Sequence, residues 1–503
     1  LTLLAVALGV MMVGLDATVV SIANPAIARD LHATLADLQW VTNGYLLALA
    51  VSLITAGKLA DRLGRKRIFL TGVVAFALAS TMVGLSGSIS MVILWRVVQG
   101  LAGALLQPSS LAILRNAFPA EKLNMAVGIW GGTSGLAIAS GPIIGGLLVQ
   151  HVNWQSVFYV NVLVGVLALV VGAWVIRESR ARDQVRSFDM IGVLLSSAAM
   201  FALVWGIIKA QAYGWGDAYP LGFFGGAIVL FALFVVRERL ARGPLIPLGL
   251  FRSASLSASV ALVLMVSFAL FGVLFFLVLY MQQVHGMSPV QAGVRILPLT
   301  AVFVFSAPLG GALTQRLGPR PPIVFGMLAV SVSLFGLAGI SVDAAYIALW
   351  PWFALLGIGM GFVIVAATEA IVGNAPLDLS GVASGLQQTA MQVGGVLGTA
   401  VLGSVMSTRV TSTIVSHLTA SGVAPAQAAG GRQVVPLIAQ GVVPVPPGAP
   451  ASVAAAFTNG AHAAFMDGLH LSMLVGAVVA LAGALIGLIV RRGHSPTSAP
   501  AAL

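Results

Sequence analysis

Apolar residues in this chain do not alternate with polar ones; they run together in long blocks separated by short polar breaks. Fourteen such runs lie near 2–24, 38–57, 68–86, 90–112, 123–150, 156–176, 189–209, 219–236, 255–282, 290–313, 322–340, 346–372, 383–405 and 469–490. A helix needs about 20 mainly apolar residues to cross a bilayer. The pattern therefore predicts an all-α membrane protein with fourteen spans. Composition agrees: 59% of the 503 residues are apolar and 8% are charged, too few to clothe a water-facing surface. There is no cysteine, which removes disulfides, thiolate metal sites and cysteine nucleophiles. The chain opens at Leu1, inside an apolar run and without an initiator methionine, so a short leader is expected ahead of it.

The net charge of +11 would suit a nucleic-acid binder if it were clustered on one folded face. Its distribution points elsewhere. Fourteen spans place both termini on one side. Nineteen of the 25 basic residues then fall on that side, in the breaks after spans 2, 4, 6, 8 and 10 and after the last span. Five are counted on the other side, Lys209 and Arg295 among them toward the ends of spans 7 and 10, and Arg96 is counted within span 4. The positive-inside rule makes the basic side cytoplasmic. Orientation thus accounts for the charge, and no nucleic-acid partner is expected.

Gly57-Lys-Leu-Ala-Asp-Arg-Leu-Gly-Arg-Lys66 nearly repeats as Gly311-Ala-Leu-Thr-Gln-Arg-Leu-Gly-Pro-Arg320. The copies follow spans 2 and 10. The simplest account is a six-span bundle over 1–176, a two-span insert with its linkers over 177–252, and a second six-span bundle over 253–492. Parallel repeats of this kind are a transporter signature, with the substrate site between halves. Residues 407–467 are expected to form an extracytoplasmic loop, disordered around 442–450, and 493–503 a disordered tail.

No catalytic machinery stands out. No Gly-Lys-Ser/Thr phosphate loop, no Gly-x-Ser-x-Gly elbow and no paired metal-ligand spacing is present. The chain reads as no enzyme, with neither metal nor cofactor. Ionisable residues inside spans are costly, so they become the main lead. Asp16 and Arg96 lie at similar depth in spans 1 and 4. They can pair statically, or compete for a proton or a cationic substrate. Glu369, toward the cytoplasmic end of span 12, either reaches interfacial water or takes part in coupling. Asn43, Gln99, Gln388 and Gln392 are intramembrane amides, and Phe268, Phe271 and Phe275 form a stripe in span 9. Each can join helices or line a substrate cavity. In the Gly57–Lys66 loop, Asp61 sits amid five basic residues, Arg62, Arg65 and Lys66 among them, between the glycines Gly57 and Gly64 that permit a tight turn. It reads as a topology anchor or as a gate-holding charge. In span 5, Gly141, Pro142, Gly145 and Gly146 promise a bent, closely packed helix.

These segments resemble a known family. The Gly57–Lys66 loop resembles the loop signature of the major facilitator superfamily. Leu94-Trp-Arg-Val-Val-Gln-Gly-Leu-Ala-Gly103 resembles its span 4 motif, and Gly141-Pro-Ile-Ile-Gly-Gly146 its antiporter-associated span 5 motif. Leu15-Asp-Ala-Thr-Val-Val-Ser-Ile-Ala-Asn-Pro25 resembles span 1 of the fourteen-span drug:proton antiporters, the EmrB/QacA-like group. Trp40-Val-Thr-Asn-Gly-Tyr45, Ser288-Pro-Val-Gln-Ala-Gly293 and Gly381-Val-Ala-Ser-Gly385 add to the match. Ala137, Gln155 and Leu163 depart from it. The resemblance implies the major facilitator fold of two six-helix bundles, here with two extra helices between them. It implies export of amphipathic, often cationic drugs in exchange for protons across a bacterial cytoplasmic membrane, by a monomer that needs no cofactor beyond the proton gradient. It assigns Asp16 and Arg96 to coupling and Asp61 to a conformational latch. The rival readings are a dedicated exporter of an endogenous metabolite, an uptake symporter and a non-transporting membrane receptor.

Overall fold

In the computed structural model, residues 1–180, 189–241, 244–376, 379–445 and 450–491 are described. Arg182, Arg186, Arg242, Arg492 and the 493–503 tail lie outside them. The first six long helices are α1 (Thr2–Leu31), α2 (Leu35–Leu63), α3 (Arg65–Gly84), α4 (Ile89–Ala117), α5 (Ala120–His151) and α6 (Ser156–Val175). A hairpin of α7 (Met190–Tyr213) and α8 (Ala218–Leu240) follows. The second set comprises α9 (Ala254–Leu279), α10 (Pro289–Leu317), α11 (Arg320–Leu337), α12 (Tyr346–Gly373), α13 (Ser380–Ala420), the short α14 (Pro425–Ala429) and α15 (Val435–Ile438), and α16 (Ala451–Gly487). No strand occurs among the described residues.

Each of the fourteen apolar runs coincides with a long helix. Twelve helices among the described residues are long and apolar enough to cross a membrane. Two long helices fall short of that set. In α2, Gln39, Asn43, Lys58 and Asp61 dilute the apolar stretch, and α5 qualifies only as a shorter apolar segment over Gly135–His151. Helix starts follow local chemistry. Thr34 and Asp37 form a reciprocal capping box at α2, and Ser288 and Gln291 do the same at α10 with Pro289 at the first position.

Packing repeats between the two sets. In the first, α2 lies on α4, α1 on α5 and α3 on α6; in the second, α10 lies on α12, α9 on α13 and α11 on α16. The halves meet along two seams, α5 with α10 and α2 with α13, while α1 also touches α9 and α10. The α7–α8 hairpin lies against the second seam, contacting both α2 and α13. There Trp40 packs on Phe201 and Trp205 at ring separations of 5.6 Å.

The structure corrects one expectation. Residues 407–467 are not a loop along most of their length, because α13 runs on to Ala420 and α16 begins at Ala451. The reason is a stripe at four-residue spacing: Met406, Val410, Ile414 and Leu418 are fully buried. Gly460 and Gly468 of α16 lie against Leu418 and Met406. Arg409, His417 and several Ser and Thr residues share the same turns, so an average over both faces hides the stripe. At ~1.5 Å per residue α13 is about 60 Å long, twice the ~30 Å apolar core of a bilayer. Its far end carries α14 and α15. After α15, Gln440 is buried and donates to the carbonyl of Ala33, between α1 and α2. The start of the stretch expected to be disordered is held too: Val442 donates its N–H to the Leu437 carbonyl. Residues 446–449 lie outside the described set.

Candidate functional site

Four helices bring polar side chains to one point inside the first half, and a fifth, α2, adds a backbone carbonyl. Asp16 from α1 is fully buried, and so are Ser80 of α3, Gln99 of α4 and Asn161 of α6; Arg96 of α4 is 1% exposed. Arg96 Nη1 donates to Asp16 Oδ2 at 2.5 Å and to Gln99 Oε1 at 2.7 Å, and its Nε donates to the Val41 carbonyl of α2 at 3.0 Å. Asp16 Oδ1 accepts from Gln99 Nε2 at 2.8 Å and from Asn161 Nδ2 at 3.2 Å. The same two amides also donate to Ser80 Oγ. Three donors therefore meet one carboxylate, and a guanidinium cancels its charge. This is the condition under which an ion can stay buried.

The guanidinium stacks over the Tyr45 ring, 4.1 Å from its centre. On that side lies a cavity of about 20 Å³ between the halves, room for roughly one water. Ser21, Thr42, Tyr45 and Arg96 line it from the first half, and Phe271 and Phe275 from α9. Arg96 reaches the cavity while Asp16 lies behind it. The Tyr45 hydroxyl is buried without a hydrogen-bond partner.

The span 5 motif forms the seam beside this site. A Cβ on Gly141 would strike Thr18 of α1, and one on Gly145 would meet Val19 at 2.7 Å. Gly146 faces the other half: its Cβ would lie 2.7 Å from the Pro289 carbonyl oxygen and 2.9 Å from Val290 Cα. Reciprocally, Gly293 of α10 lies against the backbone of Pro142. Two helices approach this closely only where side chains are absent. Gln150 Oε1 accepts from Val290 N, and Gln282 donates to the Ile22 carbonyl, so hydrogen bonds also cross the halves at this end. Toward the other end of α5, Gly132 and Gly135 have no atom within 4 Å of where a Cβ would stand. At this seam α5 is closed against α10 at one end and has open space beside it at the other, while α2 and α13 stay in contact at Ile54 and Gly385.

Residues 6–399 match the family described as Major Facilitator Superfamily. The chain belongs to the major facilitator superfamily. It is 50% identical to the tetracenomycin C resistance and export protein of Streptomyces glaucescens, over 99% of this chain and 93% of that one. It is 36% identical to the multidrug resistance protein Stp of Mycobacterium tuberculosis, covering 83% and 78% of the two chains. With the multidrug efflux pump LfrA of Mycolicibacterium smegmatis the identity is 31%, over 97% and 95%. Among solved structures, an inward-facing, unoccupied bacterial homologue of the lysosomal transporter Spinster superposes with a TM-score of 0.63 at 20% identity, over 97% of each chain. That likeness concerns the fold alone. The protein is a multi-span membrane carrier of this superfamily, whose members are not enzymes.

The Gly57–Lys66 segment turns at Gly64, whose φ of +116° ends α2 in a conformation that disfavours side chains. Asp61 accepts from Arg65 Nε at 3.0 Å and from its Nη2 at 2.8 Å, so the loop's acid is paired within its own segment. A residue that sequence reading overlooked completes the loop. Glu178, after α6, accepts from the backbone N–H groups of Lys66 and Arg67 at the start of α3. A carboxylate there satisfies two orphan donors and faces the positive end of the helix dipole. Lys66 Nζ donates to the Ala173 carbonyl, while Arg62 is exposed. Replacing Glu178 with Ala is expected to cost about 1 kcal/mol. Gly64→Ala is expected to cost more, since its Cβ would lie 2.7 Å from the Glu178 carboxylate at positive φ. Apparent Tm values of the purified variants check the order; equal values for Glu178→Ala and the parent would remove the capping role.

The other expected residues divide. Gln99 belongs to the Asp16 cluster, and Phe271 and Phe275 line the cavity. Asn43 is buried at the α2–α13 seam, where its Oδ1 accepts from Thr399 Oγ1, while Gln39 Nε2 donates to the Thr399 carbonyl. Phe268 is buried with its backbone against Gly398, outside the cavity lining. Gln388 is half-buried and Gln392 buried in α13, also outside it. Glu369 is exposed near the end of α12 and does not join Asp16 and Arg96. Ser80, Asn161 and Tyr45 were not anticipated as partners. Their signal was present in weak form, since Asn161 is the one amide inside the apolar α6.

Proposed function

We propose that this chain exports amphipathic drugs or antibiotics in exchange for protons, as a fourteen-span transporter of the EmrB/QacA-like group in a bacterial cytoplasmic membrane. The observation that carries the reading is the buried Asp16–Arg96 pair, with its guanidinium on the wall of an aromatic cavity between the halves. The coupling follows from charge. With Asp16 ionised, Arg96 is neutralised and a cationic or neutral amphiphile meets an uncharged wall. A proton on Asp16 leaves the guanidinium uncompensated, and its charge repels a cation. Proton and cationic drug then oppose each other's binding, by the same factor in both directions. The relatives named for antibiotic and multidrug export support the direction of transport.

In this reading the side rich in Lys and Arg, with both termini, is cytoplasmic. The end where Gly146 meets Pro289 is then the closed outer gate, and the open end of α5 faces the cytoplasm. The transporter works as a monomer, its energy source is the proton gradient, and it uses no cofactor. A second reading, a dedicated exporter of one endogenous metabolite, is favoured by the 50% identity to a tetracenomycin C export protein, against 36% and 31% to multidrug proteins.

Purified protein in liposomes with a pH-sensitive dye tests both. Lipophilic cations and neutral antibiotics added under a proton gradient should each move protons in an Asp16-dependent way. Response to a single aromatic metabolite alone supports the dedicated exporter. Folded protein that moves no protons with any compound, metabolites included, overturns the antiport reading.

A further inference from the structure

The α7–α8 hairpin holds a pair of acids that the Asp16 site does not use. Asp189 caps the start of α7 and Glu238 lies in the last turn of α8; each is 4% exposed. One oxygen of each is well supplied. Asp189 Oδ1 accepts from Gly192 N and from Arg237 Nε, both at 3.0 Å. Glu238 Oε2 accepts from Ile246 N at 2.9 Å. The other two oxygens, Asp189 Oδ2 and Glu238 Oε1, are buried with no hydrogen-bond partner. They converge: each lies 3.0 Å from the point a Cβ on Gly192 would occupy. The absence of a side chain at Gly192 is what leaves room for them.

Two buried acceptors facing one point lack a donor among the described residues, and leaving them so is costly. A hard metal cation takes about six oxygens, whereas two converge here. No group of three or more potential metal ligands occurs among the described residues. A single proton shared between the two carboxyls gives both oxygens a hydrogen-bond partner and removes one of two neighbouring buried negative charges. The charge bonded to the pair fits this occupancy, and a more remote one, Lys58, opposes it. Arg237, on α8, is bonded to Asp189, which favours that residue as the carboxylate. Lys58 of α2 acts on Glu238 from further away, its Nζ donating to the Pro244 carbonyl at 3.0 Å. We propose that Glu238 and Asp189 together hold one proton, Glu238 as the O–H donor and Asp189 as the accepting carboxylate. The insert then has its own proton-binding site, separate from Asp16 and independent of drug binding. The site is tied to the last turns of α2, because Glu238 holds Ile246, and Lys58 of α2 is bonded two residues earlier at Pro244.

Difference infrared spectroscopy of the full-length protein in lipid nanodiscs tests this. At neutral pH a buried protonated-carboxyl band that shifts in heavy water is expected. Glu238→Gln should remove it, since its amide replaces the bridging proton. Asp189→Asn should remove it as well, because its amide donates to Glu238 and its remaining oxygen still caps α7. If either variant fails to fold, the other decides. Asp16→Asn should leave the band in place, which separates this site from the transport reading. No carboxyl band at neutral pH, or a band unchanged in a folded Glu238→Gln or Asp189→Asn protein, overturns the proposal.

Discussion

Asp16→Asn is expected to reduce proton-driven efflux to the level of empty vesicles while the protein still reaches the membrane. Asn keeps the size of the carboxylate and can accept one hydrogen bond from Arg96, but it cannot take up a proton. It also leaves Arg96 buried without a counter-charge. Removing one partner of a buried ion pair costs about 3–5 kcal/mol, because the remaining charge has no compensation. With its oxygen on Arg96, the Asn NH2 faces Gln99 and Asn161, whose donors lose their acceptor; turning the Asn161 amide, whose Oδ1 is buried without a partner, lets it accept from that NH2 and recovers part of the loss, so folding should survive. Arg96→Met, which strands the carboxylate instead, is expected to be the less stable single variant. The double variant Asp16→Asn/Arg96→Met should regain several degrees of Tm relative to it, because no charge is then left buried. Dye-based proton flux in everted vesicles, normalised to the amount of protein, reads the first effect, and thermal unfolding of the purified set reads the second. Normal pH-driven transport by Asp16→Asn would sink the coupling assignment. A double variant no more stable than Arg96→Met would show that the pair is not energetically coupled.

Gly146→Val is expected to produce the second large effect, an opening of the outer gate. Its Cβ would fall within 3 Å of the α10 backbone at Pro289 and Val290, and backbone cannot rotate aside as a side chain can. Overpacking of this kind costs about 1–3 kcal/mol. That cost falls on the closed state alone, because the clash disappears once α5 and α10 separate. A bias of ~1.4 kcal/mol is tenfold in population. The chain has no native cysteine, so Ser21→Cys gives a single label site on the cavity wall. Labelling by a membrane-impermeant maleimide from outside should be about tenfold faster with Gly146→Val than without it, with transport lost. Gly293→Val, the reciprocal position, should act alike. Unchanged labelling with transport intact would mean the two glycines do not set the gate.

Much of the architecture could be read from the chain because its signals are local and one-dimensional. The apolar runs became helices since hydropathy acts residue by residue, and the matching depth of Asp16 and Arg96 followed from counting along two spans. The Asp16 cluster was only half legible. Ser80 and Asn161 lie on helices whose order around the bundle is a tertiary property, and a lone Ser in an apolar helix usually signals nothing. Glu178 was hidden for a similar reason: its role depends on where α6 ends relative to the start of α3. The 407–467 stretch was misjudged because its apolar stripe at 406, 410, 414 and 418 is diluted by polar neighbours on the opposite face. The orphan oxygens of Asp189 and Glu238 have no sequence signature, since 49 residues of chain separate two atoms that lie beside one glycine.

The hairpin of α7 and α8 makes the two flanks of the molecule unequal. A rocking carrier built only of two repeats would offer the surrounding lipid two equivalent clefts, one at each seam. Here the α2–α13 cleft is walled by the hairpin and its Trp40, Phe201 and Trp205 cluster, while α5 beyond its glycine contacts stands open toward α10. In the proposed orientation, a greasy molecule dissolved in the inner leaflet would therefore have one doorway instead of two. Its rings would approach the Phe271 and Phe275 wall from the α5 side.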